Sequence, residues 1–158
     1  MSDIKKTNAM RILEKNNIEY ELFLYEVDEN NLDAIHVAQS ANLDIDLVYK
    51  TIVFVNENKE NFVFCLPAEF NVSLKKAKAI THSKSLELIK VNELKKTTGY
   101  IRGGCSPIGM IKSYETFISD FALMEDQIYI SGGRRGLQIK INPTKLARCI
   151  DASFEEFI

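Results

Sequence analysis

Four short segments of this sequence carry residue types that could do chemistry. In VYKT, Val48 to Thr51, Lys50 stands where a helical turn runs into a strand of β-branched residues. A lysine there can offer its ammonium to a phosphate, a carboxylate or an ester oxygen, or simply remain a solvated strand-edge cation. In TGYIRGGCSPIG, Thr98 to Gly109, the residues Gly103, Gly104, Ser106, Pro107 and Gly109 make a loop with little side-chain bulk. Such a backbone can approach a ligand and aim N–H groups at it, or can serve as a tight turn. It is not a Walker A loop, because no GK[ST] follows. In SGGRRG, Ser131 to Gly136, the glycines Gly132 and Gly133 could again supply donors while Arg134 and Arg135 suit a polyanion. An exposed hairpin tip is the plainer alternative there. Tyr25 closes the first predicted strand, where its hydroxyl could reach a cleft or its ring could only pack.

Other chemistries lack their residues. No Ser-His-Asp or Cys-His constellation can be assembled. Cys105, within GGCSP, is the tempting nucleophile, but a reactive thiol needs a base or a helix N-terminus to lower its pKa. Neither His36 nor His82 is placed beside it by the sequence. These two histidines also lie outside any HExxH or Cys/His cluster, which argues against a metal centre, and no cofactor motif is present. In LDID, residues 43–46, Asp44 reads as a helix cap and not as half of a metal pair.

The elements that must position these residues follow from pattern. Thr7 can cap a helix running to about Asn16, with Met10 and Leu13 inward. Glu19–Glu26 alternates as a strand, Leu32–Ala41 reads as a helix, and Asp44–Val48 as a helical turn. Lys50–Val55 and Asn61–Leu66 form a hairpin around a polar turn. Ser73–Ile80 is a helix, Leu86–Val91 a strand, and Asn92 begins a helical turn ending at Gly99. Phe117–Ile118 is a brief strand. Gln127–Ser131 and Leu137–Ile141 make a second hairpin around GGRRG. Asn142 and Pro143 start a helix as N-cap and N1, and Ser153 caps a last turn. Helices interleave with hairpins, so the expected class is α+β: a mixed, mostly antiparallel sheet, curved or barrel-like, surrounded by helices.

Composition sets the frame. The chain has 158 residues, 46% hydrophobic and 27% charged, which suits one ordinary folded domain over residues 1–158 and excludes disordered and fibrous classes. No apolar run approaches the roughly 20 residues that span a bilayer. The start, MSDIKK, carries no apolar leader segment. Three widely spaced cysteines suit a reducing cytoplasm. The net charge of −2 means that any nucleic acid must be held by a local basic patch or with help from another protein. Lys75, Lys76, Lys78, Lys84, Arg134 and Arg135 are the cations available for that.

Taken in order, TNAMRILEKNNIEYELFLYE, VYKTIVFV, LKKAKAI, TTGYIRGGCSPIG, YISGGRRGLQI and LARCIDASF resemble the YbaK/EbsC family of Cys-tRNA(Pro) deacylases, from about Thr7 to Phe157. The resemblance implies the fold of the editing domain inserted in bacterial prolyl-tRNA synthetases. It also implies hydrolysis of misacylated Cys-tRNA(Pro), with prolyl-tRNA synthetase as a partner and neither membrane nor DNA involved. Carried over by motif, Lys50 would be the catalytic residue. Tyr25, Thr51, Gly103, Gly104, Ser106, Ser131, Gly132 and Gly133 would bind substrate. Cys105 departs from the aliphatic residue usual at that position, and Gln138 is a second variable position without an assigned role. Two alternatives stay open: a deacylase for another small residue, such as Ala-tRNA(Pro), or a non-catalytic module that grips an aminoacylated 3′ end.

The implied function is physically reasonable. A binding pocket separates near-isosteres such as cysteine and proline by only about 1–3 kcal/mol, so a second site must remove the error. An aminoacyl ester is already activated, and a cysteine substrate brings its own thiol. The resemblance implies that this thiol attacks the ester carbonyl to leave as a thiolactone. The protein then supplies orientation and donors for the developing oxyanion.

Overall fold

A computed structural model describes residues 4–158; the first three residues of the MSDIKK segment lie outside it. Five helices and eight strands follow one another: α1 (Asn8–Lys15), β1 (Glu21–Leu24), α2 (Ala34–Ser40), β2 (Tyr49–Asn56), β3 (Asn61–Pro67), α3 (Leu74–Thr81), β4 (Leu86–Leu88), α4 (Val91–Thr98), β5 (Glu115–Ser119), β6 (Ile128–Ser131), β7 (Leu137–Ile141), α5 (Pro143–Ile150) and β8 (Ser153–Glu155). Short 3-10 turns precede β2 (Ile45–Leu47) and follow β5 (Asp120–Met124). Polar side chains cap four of the five helices, Thr7 and Asn142 among them as the sequence implied. Thr7, Asp33, Ser73 and Asn142 each accept a backbone N–H from the first turn, and Asp44 does the same for its 3-10 turn.

The strands form two sheets, ordered β1-β7-β6 and β4-β2-β3-β5-β8. Four of the six strand pairings are antiparallel; β3–β5 and β5–β8 are parallel. This is the expected mixed, mostly antiparallel arrangement, and the sheets do not close into a barrel. A single parallel bridge, Val48 to Tyr129, ties one sheet to the other.

Period-two alternation sorts the side chains. On one face of the larger sheet, Tyr49, Val53, Val63, Cys65 and Ile118 join Ile130, Leu137, Ile139 and Ile141 of the smaller sheet. Met10 and Leu13 of α1 and Leu146 of α5 complete that core. On the opposite face, Phe54, Phe64, Phe117 and Phe157 gather with Leu66 and with Ala77 of α3. A small third cluster, Ala38, Val48, Ala68 and Tyr129, seats α2 over the junction between the sheets.

Three segments differ from the sequence reading. The strand expected over Leu86–Val91 stops at Leu88, where its register with β2 ends, and Val91 already begins α4, an eight-residue helix in place of the turn expected from Asn92. Ser153 does not cap a turn. It begins β8, which pairs parallel to β5 with Ser153 opposite Phe117. A three-residue parallel edge strand has too little pattern to register locally. The first strand is also shorter than Glu19–Glu26, because its partner ends: Leu24 pairs with Leu137, and the next residue, Tyr25, donates its N–H to the carbonyl of Gly136, the last residue of the GGRRG turn, at 3.0 Å.

Phe64 is the centre of the aromatic cluster. It is fully buried, with ring centroids 4.9 Å from Phe157, 5.2 Å from Phe117 and 5.5 Å from Phe54. Phe64→Ala should therefore cost about 3–5 kcal/mol, at the scale of deleting a buried aromatic ring. Urea denaturation measures this; a loss below about 1 kcal/mol would show that the cluster does not anchor the C-terminal segment.

Candidate functional site

The site begins with an interruption in hydrogen bonding. Just before β2, Val48 bridges to β6, and β4 joins the outer edge of β2 only from Val53 onward, where the Ile89 N–H donates to the Val53 carbonyl at 2.9 Å. Strand alternation puts the Thr51 N–H and carbonyl on that same edge, in the interval where neither neighbour reaches. A cleft of about 350 Å³ opens there. Its walls come from the start of β2, the entry to α2, the Arg102–Gly103 loop with Cys105, and Ser131 and Gln138 of the smaller sheet. A larger surface depression of about 560 Å³, beside Tyr20 and Lys145, holds none of the motif residues.

Lys50 is half-buried in this cleft. Burial pulls its ammonium below the ordinary lysine range, and the Asp33 carboxylate partly opposes that shift. Asp33 is both the cap of α2 and a cleft residue. It accepts the His36 N–H at 3.1 Å and pairs with His36 Nδ1 at 2.6 Å. Burial alone would raise its pKa, but these His36 contacts outweigh it and hold the carboxyl below its usual value. Thr51 points to the other face of β2, with Oγ1 3.8 Å from Cys65 Sγ.

The two glycine-rich segments are packed against each other. A side chain at Gly104 would place its Cβ 2.8 Å from Arg134 Cα, so only glycine allows this approach. Gly103 has φ +87° and puts its backbone on the cleft wall. Arg135 straps the loops together: Nε donates to the Arg102 carbonyl at 2.8 Å, and Nη1 pairs with Glu29 at 2.7 Å. Arg134 Nη1 donates to the Lys5 carbonyl at 3.4 Å. Lys76 pairs with Glu156 at 2.8 Å. Three of the cations available for nucleic acid thus hold the chain to itself.

The cleft brings together Lys50, Thr51, Gly103 and Ser131. Tyr25, Gly104, Ser106, Gly132 and Gly133 stand behind it, outside its lining. Ser106 is fully buried and its Oγ accepts the Ile108 N–H at 3.2 Å. The Gly132 carbonyl accepts from Thr7 Oγ1 at 2.6 Å, and the Gly133 N–H donates to Ser131 Oγ at 3.3 Å. Tyr25 is half-buried beside Gly136; burial raises its phenol pKa, against a hydrogen bond from Gly136 and the nearby Arg135 charge. Sequence reasoning missed Asp33, Arg102 and Gln138, which the structure places in the cleft. Only Asp33 left a signal, as a helix cap beside the cleft-forming VYKT segment.

The thiols are suppressed. Burial pushes Cys65 up to about 12 and Cys105 up to about 11. The sulfur that lines the cleft, Cys105, is therefore a protonated wall group near neutral pH. What the arrangement can do is hold a polar ligand between a lysine ammonium, a carboxylate and glycine backbone.

Residues 28–149 match the family model of the aminoacyl-tRNA editing domain. A candidate Cys-tRNA(Pro)/Cys-tRNA(Cys) deacylase, EbsC, of Enterococcus faecalis (strain ATCC 700802 / V583) is 35% identical over 152 residues, covering 96% of this chain and 93% of that protein. Among solved structures, the hypothetical protein APE2540 superposes with a TM-score of 0.83 at 15% identity, covering 94% of this chain and 98% of the other. A candidate trans-editing enzyme for prolyl tRNA synthetase gives 0.79 at 19% identity, covering 98% of each. These two share the fold; the sequence matches go further, and this chain belongs to the aminoacyl-tRNA editing domain family.

Proposed function

We propose that this protein is a trans-editing deacylase that removes cysteine from mischarged tRNA(Pro), and that Lys50 is its catalytic residue. The observation that carries the reading is a cleft holding a half-buried lysine and glycine backbone beside suppressed thiols. Such a site orients and stabilises, and leaves nucleophilic attack to its substrate. The substrate thiolate attacks the ester carbonyl carbon and forms the carbon–sulfur bond of a thiolactone. The carbon–oxygen ester bond breaks, and the tRNA 3′ oxygen leaves with the proton the thiol gave up. Water then opens the thiolactone to free cysteine. Lys50 steadies the oxygen that carries the developing charge, with Gly103 and Ser131 shaping the wall around it.

Lys50→Met tests the assignment. The change removes a half-buried, penalised charge and keeps the stem, so the variant should be at least as stable as wild type near neutral pH. Deacylation of Cys-tRNA(Pro) should fall by about a hundredfold or more, at the scale of losing one stabilising group. A folded variant with near wild-type rates would reject Lys50 as the catalytic residue.

The route through the substrate thiol makes a separate demand. Cys105→Ala should retain most activity, whereas Ser-tRNA(Pro) should react far more slowly than Cys-tRNA(Pro), because a hydroxyl is much less ionised than a thiol near neutral pH. Amino-acid release from the two substrates decides this. Comparable rates would point to direct attack by water, and fast release from Ala-tRNA(Pro) would reassign the amino acid.

Partner dependence follows from charge. With a net charge of −2, and with Arg135 and Lys76 already paired, the isolated protein should bind tRNA weakly and with a shallow salt dependence. Selection of tRNA(Pro) then falls to a complex with prolyl-tRNA synthetase. Filter binding across a salt series, with and without the synthetase, checks it. Tight tRNA(Pro)-specific binding by the isolated protein would contradict that division of labour.

A further inference from the structure

The cleft carries two acceptors that the deacylation chemistry leaves unused. Asp33 is the carboxylate on its wall, and its charge is felt by Lys50. Gln138, from the smaller sheet, lines the same cleft and is only 4% exposed. Its Oε1 is buried and has no hydrogen-bond partner among the described residues. The neighbour across the ladder does not relieve it: Ser131 pairs in register with Gln138 but turns its Oγ to the Gly133 N–H. A buried polar atom without a partner is costly, and one in a ligand cleft points to a donor on the ligand.

An aminoacyl ester has polarity that matches this cleft. Its free α-amino group is a cation with several N–H donors, while its carbonyl oxygen and the nearby phosphate are acceptors. Lys50 repels the first and attracts the second. We propose that Asp33 and Gln138 together seat the free α-ammonium of the substrate, so that the cleft accepts only an aminoacyl group whose amine is unblocked. Asp33 supplies the opposite charge and Gln138 accepts one N–H. His36, through Nδ1 and its backbone N–H, fixes the Asp33 carboxylate in place. With the amine held there, the carbonyl is turned toward Lys50. This inference rests on the deacylase reading for the identity of the ligand, and its test is a binding measurement that turnover does not enter.

Two hydrolysis-resistant probes isolate the amine. One is cysteine joined by an amide to 3′-amino-3′-deoxyadenosine; the other carries 3-mercaptopropionate and lacks only the α-amino group. Calorimetric titration should show the wild type preferring the first by about tenfold or more, the scale of a charge-assisted hydrogen bond. Asp33→Asn and Gln138→Met should each reduce that preference to about threefold or less, with the Kd of the mercaptopropionyl probe changed by less than about twofold. If Gln138→Met does not fold, Gln138→Glu serves instead and should keep or sharpen the preference. Equal wild-type affinities, no measurable binding of either probe, or variants that weaken both probes alike would overturn the proposal. Turnover of Cys-tRNA(Pro) is followed separately. A preference for the amine without turnover would remove the deacylase reading alone, and turnover without the preference would remove the amine seat alone.

Discussion

The outer edge of β2 leaves a short interval of ladder hydrogen bonding incomplete, and the rest of the site is arranged around that gap. At one end Val48 bridges to Tyr129; at the other, β4 takes over from Val53. A free strand edge is normally a hazard, because it can template pairing with another chain. Here the free interval is short and is walled by the entry to α2, by the Gly103 loop and by Leu88. These walls exclude a second strand while leaving room for a small ligand. The interruption also explains why Lys50 and Thr51, which point to opposite faces of β2, both reach one cleft: it opens at the strand edge.

The glycines and arginines that look most like ligand contacts are largely occupied in building those walls. Gly104 allows backbone against backbone at Arg134, and Arg135 spans from Glu29 to the Arg102 carbonyl. One loop thereby holds the other at a fixed height above β2. The Arg135–Glu29 pair is partly exposed, so its electrostatic worth is small. Its bond to a carbonyl and its burial between loops matter more, because they fix geometry. A site that relies on orientation for its rate needs such support behind the residues that touch the ligand.

Much of this was legible in the sequence, for identifiable reasons. The Tyr49–Pro67 and Ile128–Ile141 hairpins announce themselves by alternation around polar or glycine turns, and the first and last helices by the capping chemistry of Thr7 and Asn142. Motif spacing singled out Lys50, Thr51, Gly103 and Ser131, which the fold then gathers in one cleft. What stayed hidden depends on distant partners. The β8 strand exists only because β5 offers an edge, and β1 stops at Leu24 because β7 begins at Leu137. Asp33 and Gln138 come from segments 105 residues apart, and no local pattern says that a helix cap and a strand glutamine line one cleft. Ser106 illustrates the reverse case. Its motif is chemically suggestive, yet its hydroxyl is spent within the turn, on the Ile108 N–H.

The burial of Lys50 is unfavourable for folding. Its pKa in the folded chain is lowered, so the unfolded chain binds more protons in the interval between that lowered value and the ordinary 10.5. In that interval stability rises with pH; below it, the penalty for holding the charged lysine in the cleft is present in full. The protein therefore carries the whole of this cost near neutral pH, where Asp33 offsets part of it. An anionic oxygen brought by a ligand would reduce the cost further, and a charge developing on that oxygen would reduce it more than the neutral carbonyl before it. That difference between the two states is the physical requirement for catalysis by a positioned cation. The cleft thus has no need of an ionised thiol of its own, and the depth at which Cys65 and Cys105 are buried keeps both protonated.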